Sequence, residues 1–136
     1  MAGICFFFED SDVDVWSGKD LDAWNYAIKA AGDVDNMIVV NKTDQYLQSP
    51  DVNLGFQVVN ELPELENATF IKCPWDSGEN ISLWDFDHNT DWYVFGPASG
   101  WGGVDGVCIP QNGIGACHSV HIATTVMFHR YQTIWQ

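Results

Sequence analysis

Trp92-Tyr93-Val94-Phe95-Gly96-Pro97-Ala98, Val107-Cys108-Ile109-Pro110 and Ala116-Cys117-His118-Ser119-Val120-His121-Ile122-Ala123-Thr124-Thr125-Val126-Met127-Phe128-His129-Arg130 decide how this chain is read. Trp92 to Phe95 is a short apolar run that enters a Gly-Pro loop, so it reads as a buried strand with a sharp exit. Val107 to Ile109 is a second such strand, stopped by Pro110. Cys117 to Gln132 then reads as a helix that is apolar on nearly all sides as far as Phe128, which predicts burial in a core or at a subunit interface. Ala98 to Gly106 contains four glycines, a composition that lets backbone fold closely over another group.

The pattern extends backwards. Ile4 to Phe8 is a continuous apolar run, as expected of a strand covered on both faces of a parallel sheet. Asp20 can cap a helix in which Leu21, Trp24, Ile28 and Ala31 recur at helical spacing, and Gly32 can end it. Met37 to Val40 is the next strand, and Ala68 to Cys73 another, closed by Pro74. Strands alternating with helices predict an α/β fold with right-handed crossovers. Between Asn41 and Leu65, Ser49-Pro50-Asp51 suits a helix start, while Gly55 and Pro63 limit its length. Ile81 to Phe86 reads as a further short strand or an edge extension. No repeat, low-complexity tract or linker divides the chain, so a single domain over 1–136 is expected.

These blocks resemble the SPOUT family of RNA methyltransferases, and within it the SpoU-type branch. There a strand ends in Phe-Gly-Pro-Glu, a later one in Ile-Pro, and a Ser-Leu-Asn segment opens a helix finishing in Leu-Tyr-Glu or Leu-Tyr-Asp-Arg. Phe95-Gly96-Pro97-Ala98, Val107-Cys108-Ile109-Pro110 and the gapless stretch from Ala116 to Arg130 are similar to these in order and spacing. The resemblance implies a parallel-sheet three-layer fold with a C-terminal trefoil knot whose loops hold S-adenosylmethionine. It implies cofactor contacts from Cys73, Phe95, Gly96, Pro97, Ile109, Pro110, Ala116 and Cys117, chiefly through backbone groups, with Pro74 adjoining.

The resemblance further implies transfer of a methyl group to a ribose 2′-hydroxyl of tRNA or rRNA, in a homodimer whose sites are completed across the subunit interface. Three positions depart from the family pattern. Ala98 replaces the acidic residue after Gly-Pro, and His118 stands where Asn is expected. The Arg of the N-terminal motif has no counterpart between Asp20 and Gly32, where Lys29 is the basic residue present and Tyr26 falls nearer the Arg position. Methyl transfer needs a group to orient or deprotonate the hydroxyl and a charge to complement the adjacent phosphate. Lys29 and His118 are therefore the candidate catalytic residues.

Composition bears on the partner. The 136 residues, 46% of them hydrophobic, suffice for one sizeable core. Nineteen acidic residues against five basic ones give a formal charge of -14, and Lys19, Lys29, Lys42, Lys72 and Arg130 are scattered. Such a surface repels phosphate backbones, so RNA capture is disfavoured without a basic partner. Two alternatives follow: a catalytically altered binding or inhibitory protein of the same fold whose acidic face engages a basic partner, and an enzyme acting on a small molecule.

No apolar run reaches a membrane span of about eighteen residues, and the N-terminus lacks the basic region of a signal peptide. A cytoplasmic protein is expected, with Cys5, Cys73, Cys108 and Cys117 as reduced thiols. In that setting the glycosylation patterns at Asn67 and Asn80 carry no meaning. His118, His121 and His129 beside Cys117, and the cluster Asp85, Asp87, His88 and Asp91, invite a cation reading. The former lack a second ligand pair at characteristic spacing and the latter fit a polar loop, so no metal is expected. Trp75, Trp84, Trp92 and Trp101 suit base stacking or the packing of cores and interfaces.

Overall fold

The computed structural model describes residues 2–8, 34–41, 57–72, 79–96, 106–108 and 119–134. Its elements are strands β1 (Ala2–Phe8), β2 (Val34–Asn41), β3 (Gln57–Val59), β4 (Ala68–Lys72), β5 (Glu79–Asn80), β6 (Trp92–Phe95) and β7 (Val107–Cys108), a 3-10 turn (Leu83–Asp85) and helix α1 (Ser119–Ile134). The strands form one seven-stranded sheet in the order β3-β2-β1-β6-β4-β7-β5, and every pairing is parallel. The α/β class read from the sequence is therefore the class observed. The chain lays β1, β2 and β3 towards one edge, and later inserts β6 between β1 and β4. The loops that would close a trefoil knot, and the helix expected between Asp20 and Gly32, lie outside the described residues.

Period-two alternation divides the apolar strand residues between two faces. On one, Ile4 and Phe6, Val39, Ile71, and Tyr93 and Phe95 pack under Ile122, Ala123, Val126 and Met127 of α1. On the other, Cys5, Val40 and Val94 meet Ile38, Val59, Phe70 and Trp92, with Leu62 and Leu65 of the connector before β4. This two-sided burial explains why these strands read as continuous apolar runs. Each large apolar side chain that is fully buried, such as Ile4 or Phe6, is worth about 1.5–3 kcal/mol of transfer free energy.

Helix α1 departs from the expected burial on nearly all sides. Its buried positions, Ile122, Ala123, Val126, Met127 and Arg130, form one stripe against the sheet. Thr124, Thr125, Phe128 and His129 are half-buried, and Tyr131, Gln132 and Thr133 are exposed. Threonines are near neutral in hydropathy, so composition alone overstates how much of the helix is covered.

Two other segments differ from the sequence reading. The span expected as a strand from Ile81 to Phe86 instead makes a 3-10 turn, in which the Ser82 hydroxyl lies 3.1 Å from the Asp85 carboxylate. Short polar side chains at both ends of Leu83-Trp84 offer the backbone a local alternative to pairing. The edge strand β3 carries too short an apolar run to be read without its neighbour β2.

The start of β4 is fixed by Asn67, a non-glycine residue with φ of 50°, a left-handed conformation Asn tolerates. Its carbonyl accepts the Asp91 N–H at 2.9 Å and its side-chain amide donates to the Asn89 carbonyl at 3.0 Å. The buried Thr90 hydroxyl lies 2.8 Å from the Asn67 carbonyl and accepts from Thr69 at 3.0 Å. This joint clamps the amino ends of β4 and β6 in register. At the start of β1, Gly3 lies flat against the Trp92 ring, where a Cβ would come within 2.6 Å of a ring carbon.

Candidate functional site

Because β4, β6 and β7 run parallel, their carboxyl ends meet at one edge of the sheet. Ile71 pairs with Phe95 and with Val107, and Lys72 pairs with Cys108. The Gly96 N–H continues this register by donating to the Ile71 carbonyl at 3.3 Å. The loops that carry the first two sequence motifs therefore leave the sheet from β6 and β7, on either side of β4. Ligand sites of open parallel sheets lie outside the carboxyl ends of the strands, where the winding reverses. Here the reversal falls around β1 and β6, between the strands laid to one side and those laid to the other.

Of the candidate cofactor residues, Phe95 and Gly96 lie within the described residues. The Phe95 side chain is buried in the core, its ring 5.8 Å from that of Phe6, so the backbone is what it offers to the edge. Gly96 is buried immediately beyond it. Cys73, Pro97, Ile109, Pro110, Ala116 and Cys117 lie outside the described residues, as do the candidate catalytic residues Lys29 and His118.

The structure adds a residue that the sequence reading passed over as one of five scattered cations. Lys72, the last residue of β4, is 3% exposed. Its side chain runs beside Gly106, where a Cβ would approach the Lys72 Cε to 3.2 Å and the Phe70 carbonyl oxygen to 2.6 Å. Glycine at 106 thus leaves room for a buried cation at the edge where β4, β6 and β7 end. The available signal was a lone lysine closing an apolar strand just before Cys73-Pro74. Burial of a cation demands compensating interactions.

A second polar group lies between the opposite end of β6 and α1. His88 Nδ1 is 2.9 Å from the Tyr93 hydroxyl, and its Nε2 is 2.8 Å from Nδ1 of His129. Phe86 lies against both His88 and Tyr93, at ring separations of 4.8 and 6.1 Å. The buried Arg130 guanidinium stands 5.8 Å from the Tyr93 ring centroid, a cation–π distance. Burial lowers the His88 pKa from 6.5 to about 4, with the His129 and Arg130 charges acting in the same direction and Asp87 opposing them.

Of the histidines and acidic residues singled out in the sequence, these contacts account for His88, His129 and Asp87; His118 and Cys117 lie outside the described residues. His129 pairs with His88 across 41 residues of chain, and both His88 nitrogens are engaged. Asp87 accepts the Asn89 N–H at 2.9 Å, closing the polar loop. Among the described residues no three His, Cys, Asp or Glu side chains gather as a metal site would require. No helix among those residues is long and apolar enough to cross a membrane. Burial raises the Cys5 thiol to about 12, so it stays protonated at neutral pH.

No protein-family model matches the sequence. Nor does any curated protein. Solved structures do match. One, solved for the 2-OH methylation of C/U34 on tRNA, superposes with a TM-score of 0.60 over 98% of this chain and 97% of that one, at 16% identity. The SpoU methyltransferase AviRb from Streptomyces viridochromogenes, in complex with the cofactor AdoMet, gives 0.62 at 13% identity. The match covers 98% of this chain and 60% of AviRb, so the chain spans less than two thirds of that protein. The chain thus has a fold like that of these two structures, the SpoU methyltransferase AviRb among them.

Proposed function

We propose that this chain binds S-adenosylmethionine at the carboxyl edge of β4, β6 and β7 and transfers its methyl group to a ribose 2′-hydroxyl of tRNA or rRNA. The observation that carries this reading is that β6 and β7, which lead into the Phe-Gly-Pro and Ile-Pro motifs, flank β4 with their carboxyl ends at one edge, where the Gly96 N–H meets the Ile71 carbonyl. The likeness to the structure solved for tRNA 2-OH methylation and to the AdoMet complex of AviRb supports it. The loops after β6 and β7 would close a trefoil knot around the cofactor, within a single domain.

The residues at this edge fit such a ligand. Glycine at 96 permits close approach of backbone N–H and C=O groups to an adenine, and Pro97 and Pro110 stiffen the loop walls. Lys72 supplies a buried positive charge complementary to the carboxylate of the methionine moiety. When bound, S-adenosylmethionine supplies an electrophilic methyl group whose bond to sulfur breaks as its bond to the ribose oxygen forms. His118 would accept the hydroxyl proton, and Lys29 would complement the neighbouring phosphate. The family's completion of sites across a subunit interface supports a homodimer.

Glu61, Glu64, Glu66, Asp85, Asp87 and Asp91 are exposed, whereas the cations Lys72 and Arg130 are buried. The described surface is thus acidic, consistent with a formal charge of -14. RNA capture in this reading depends on a basic partner. The test is calorimetry with S-adenosylmethionine, followed by transfer of a labelled methyl group to RNA. Saturable binding and transfer are expected; absence of binding at millimolar cofactor overturns the reading. Binding without transfer to any RNA, even with a basic partner, would favour a non-catalytic acidic binding protein.

A further inference from the structure

Trp84 is 90% exposed, although an indole is among the most costly side chains to leave in water. It is not on a loose tip. Its neighbours anchor the turn: Leu83 packs against the core and Phe86 is buried, its ring stacked on Tyr93. The Asp85 and Phe86 N–H groups donate to the Ser82 and Leu83 carbonyls at 3.1 and 3.2 Å. The indole also meets the His129 ring edge-on, at 6.2 Å and 89°. The turn therefore holds Trp84 outward on a fixed base, and the entropy cost of presenting it is met by the fold itself.

The surroundings specify what chemistry would cover it. Asp85 and Asp87 follow Trp84 closely in the chain and are exposed, and no cation among the described residues is. An exposed indole on an acidic turn suits a guanidinium, which can stack on the ring and donate paired hydrogen bonds to a carboxylate. Phosphate would meet only like charge at this place.

We propose that Trp84, with Asp85 and Asp87, is the docking point for an arginine-bearing segment of a basic protein partner. This surface lies on the 3-10 turn beside His129 of α1, and its occupancy does not require the cofactor reading to hold. It gives the acidic chain a defined place at which to recruit positive charge.

The test uses the whole chain labelled with ¹⁵N, the Trp84 indole signal being assigned by its loss in Trp84→Phe. An arginine–glycine peptide, a lysine–glycine peptide of equal charge and an oligouridylate are titrated at physiological ionic strength. The arginine peptide should shift the Trp84 indole saturably and bind more tightly than the lysine peptide. Trp84→Ala should weaken it about tenfold or more without altering the thermal melt, and Asp85→Asn with Asp87→Asn should weaken it and flatten its salt dependence. The proposal is overturned if the arginine peptide does not bind or binds Trp84→Ala equally well. It is likewise overturned if oligouridylate moves the Trp84 signal, or if Trp84→Ala converts a dimer to a monomer, which would make a second copy the occupant.

Discussion

The Nε2 of His88 lies 2.8 Å from the Nδ1 of His129, and the same His88 ring reaches the Tyr93 hydroxyl at 2.9 Å. Two imidazole nitrogens at that distance share one proton, so whichever ring donates, the other must accept. A doubly charged pair would lose this bond and would also face the buried Arg130. The contact between the loop before β6 and helix α1 is thus built for a neutral His88.

This fixes the sign of a pH effect. Burial first, then His129 and Arg130, hold the folded pKa of His88 at about 4 against an ordinary 6.5. Between these values the unfolded chain binds more protons, so stability is fully present above pH 6.5 and is lost progressively as pH falls towards 4. Urea midpoints measured across this window should decline, and His88→Gln should flatten the decline. An equal slope in the variant would show that other groups govern it.

Tyr93→Phe removes the hydroxyl from His88 while leaving the ring on Phe86 and under Arg130. The expected cost is about 1 kcal/mol, the scale of one net hydrogen bond, with a further loss if the His88 nitrogen is left without a partner. Equilibrium denaturation, compared with an equivalent Phe95→Leu packing variant, separates the polar from the apolar contribution.

Gly3→Val should destabilise through overpacking. The Trp92 ring stands 2.6 Å from where the Cβ would be, and Trp92 is set by its strand and by the Asn67 joint. A loss of about 1–3 kcal/mol is expected. A melt indistinguishable from wild type would mean that the ring moves aside freely.

At the carboxyl edge, Gly96→Leu should abolish S-adenosylmethionine binding while the protein remains folded, because a side chain would intrude where backbone meets ligand. Lys72→Met tests a different feature. It should weaken S-adenosylmethionine and leave methylthioadenosine, which lacks the carboxylate, nearly unaffected. Calorimetry with both ligands checks this; equal losses for the two would remove Lys72 from carboxylate recognition.

RNA affinity of the isolated protein should be weak and should fall steeply with salt in any residual binding. In methyl-transfer assays supplied with a basic partner, Lys29→Ala should reduce turnover more than Lys42→Ala. Robust transfer indifferent to Lys29 would refute its role. Light scattering at tens of micromolar should report a dimer.

The sequence carried the sheet in outline because its strands are buried on both faces, which writes burial directly into residue type. Trp92 to Phe95 has the same bounds in the sequence reading and in β6, and β1, β2, β4 and β7 differ by a few residues at their ends. Ile81 to Phe86 was misread because a short apolar run says nothing of whether Ser82 and Asp85 will close a turn on themselves. Gly96 is legible as a candidate site residue from its motif. Lys72 is not, because a lysine in a sequence carries no sign of the strand ends around it.

By itself, then, the sequence determined what depends on local pattern: the parallel α/β class, the order of its apolar segments, an acidic charge that opposes RNA, and three loop motifs like those of SpoU-type enzymes. Only the tertiary structure decided what depends on residues far apart in the chain. It inserted β6 between β1 and β4, joined Gly96 to Ile71, buried Lys72 beside Gly106 and set His88 against His129. The physical reason is that periodicity and charge are properties of neighbouring residues, whereas a hydrogen bond between residues 41 positions apart exists only once packing has brought them together.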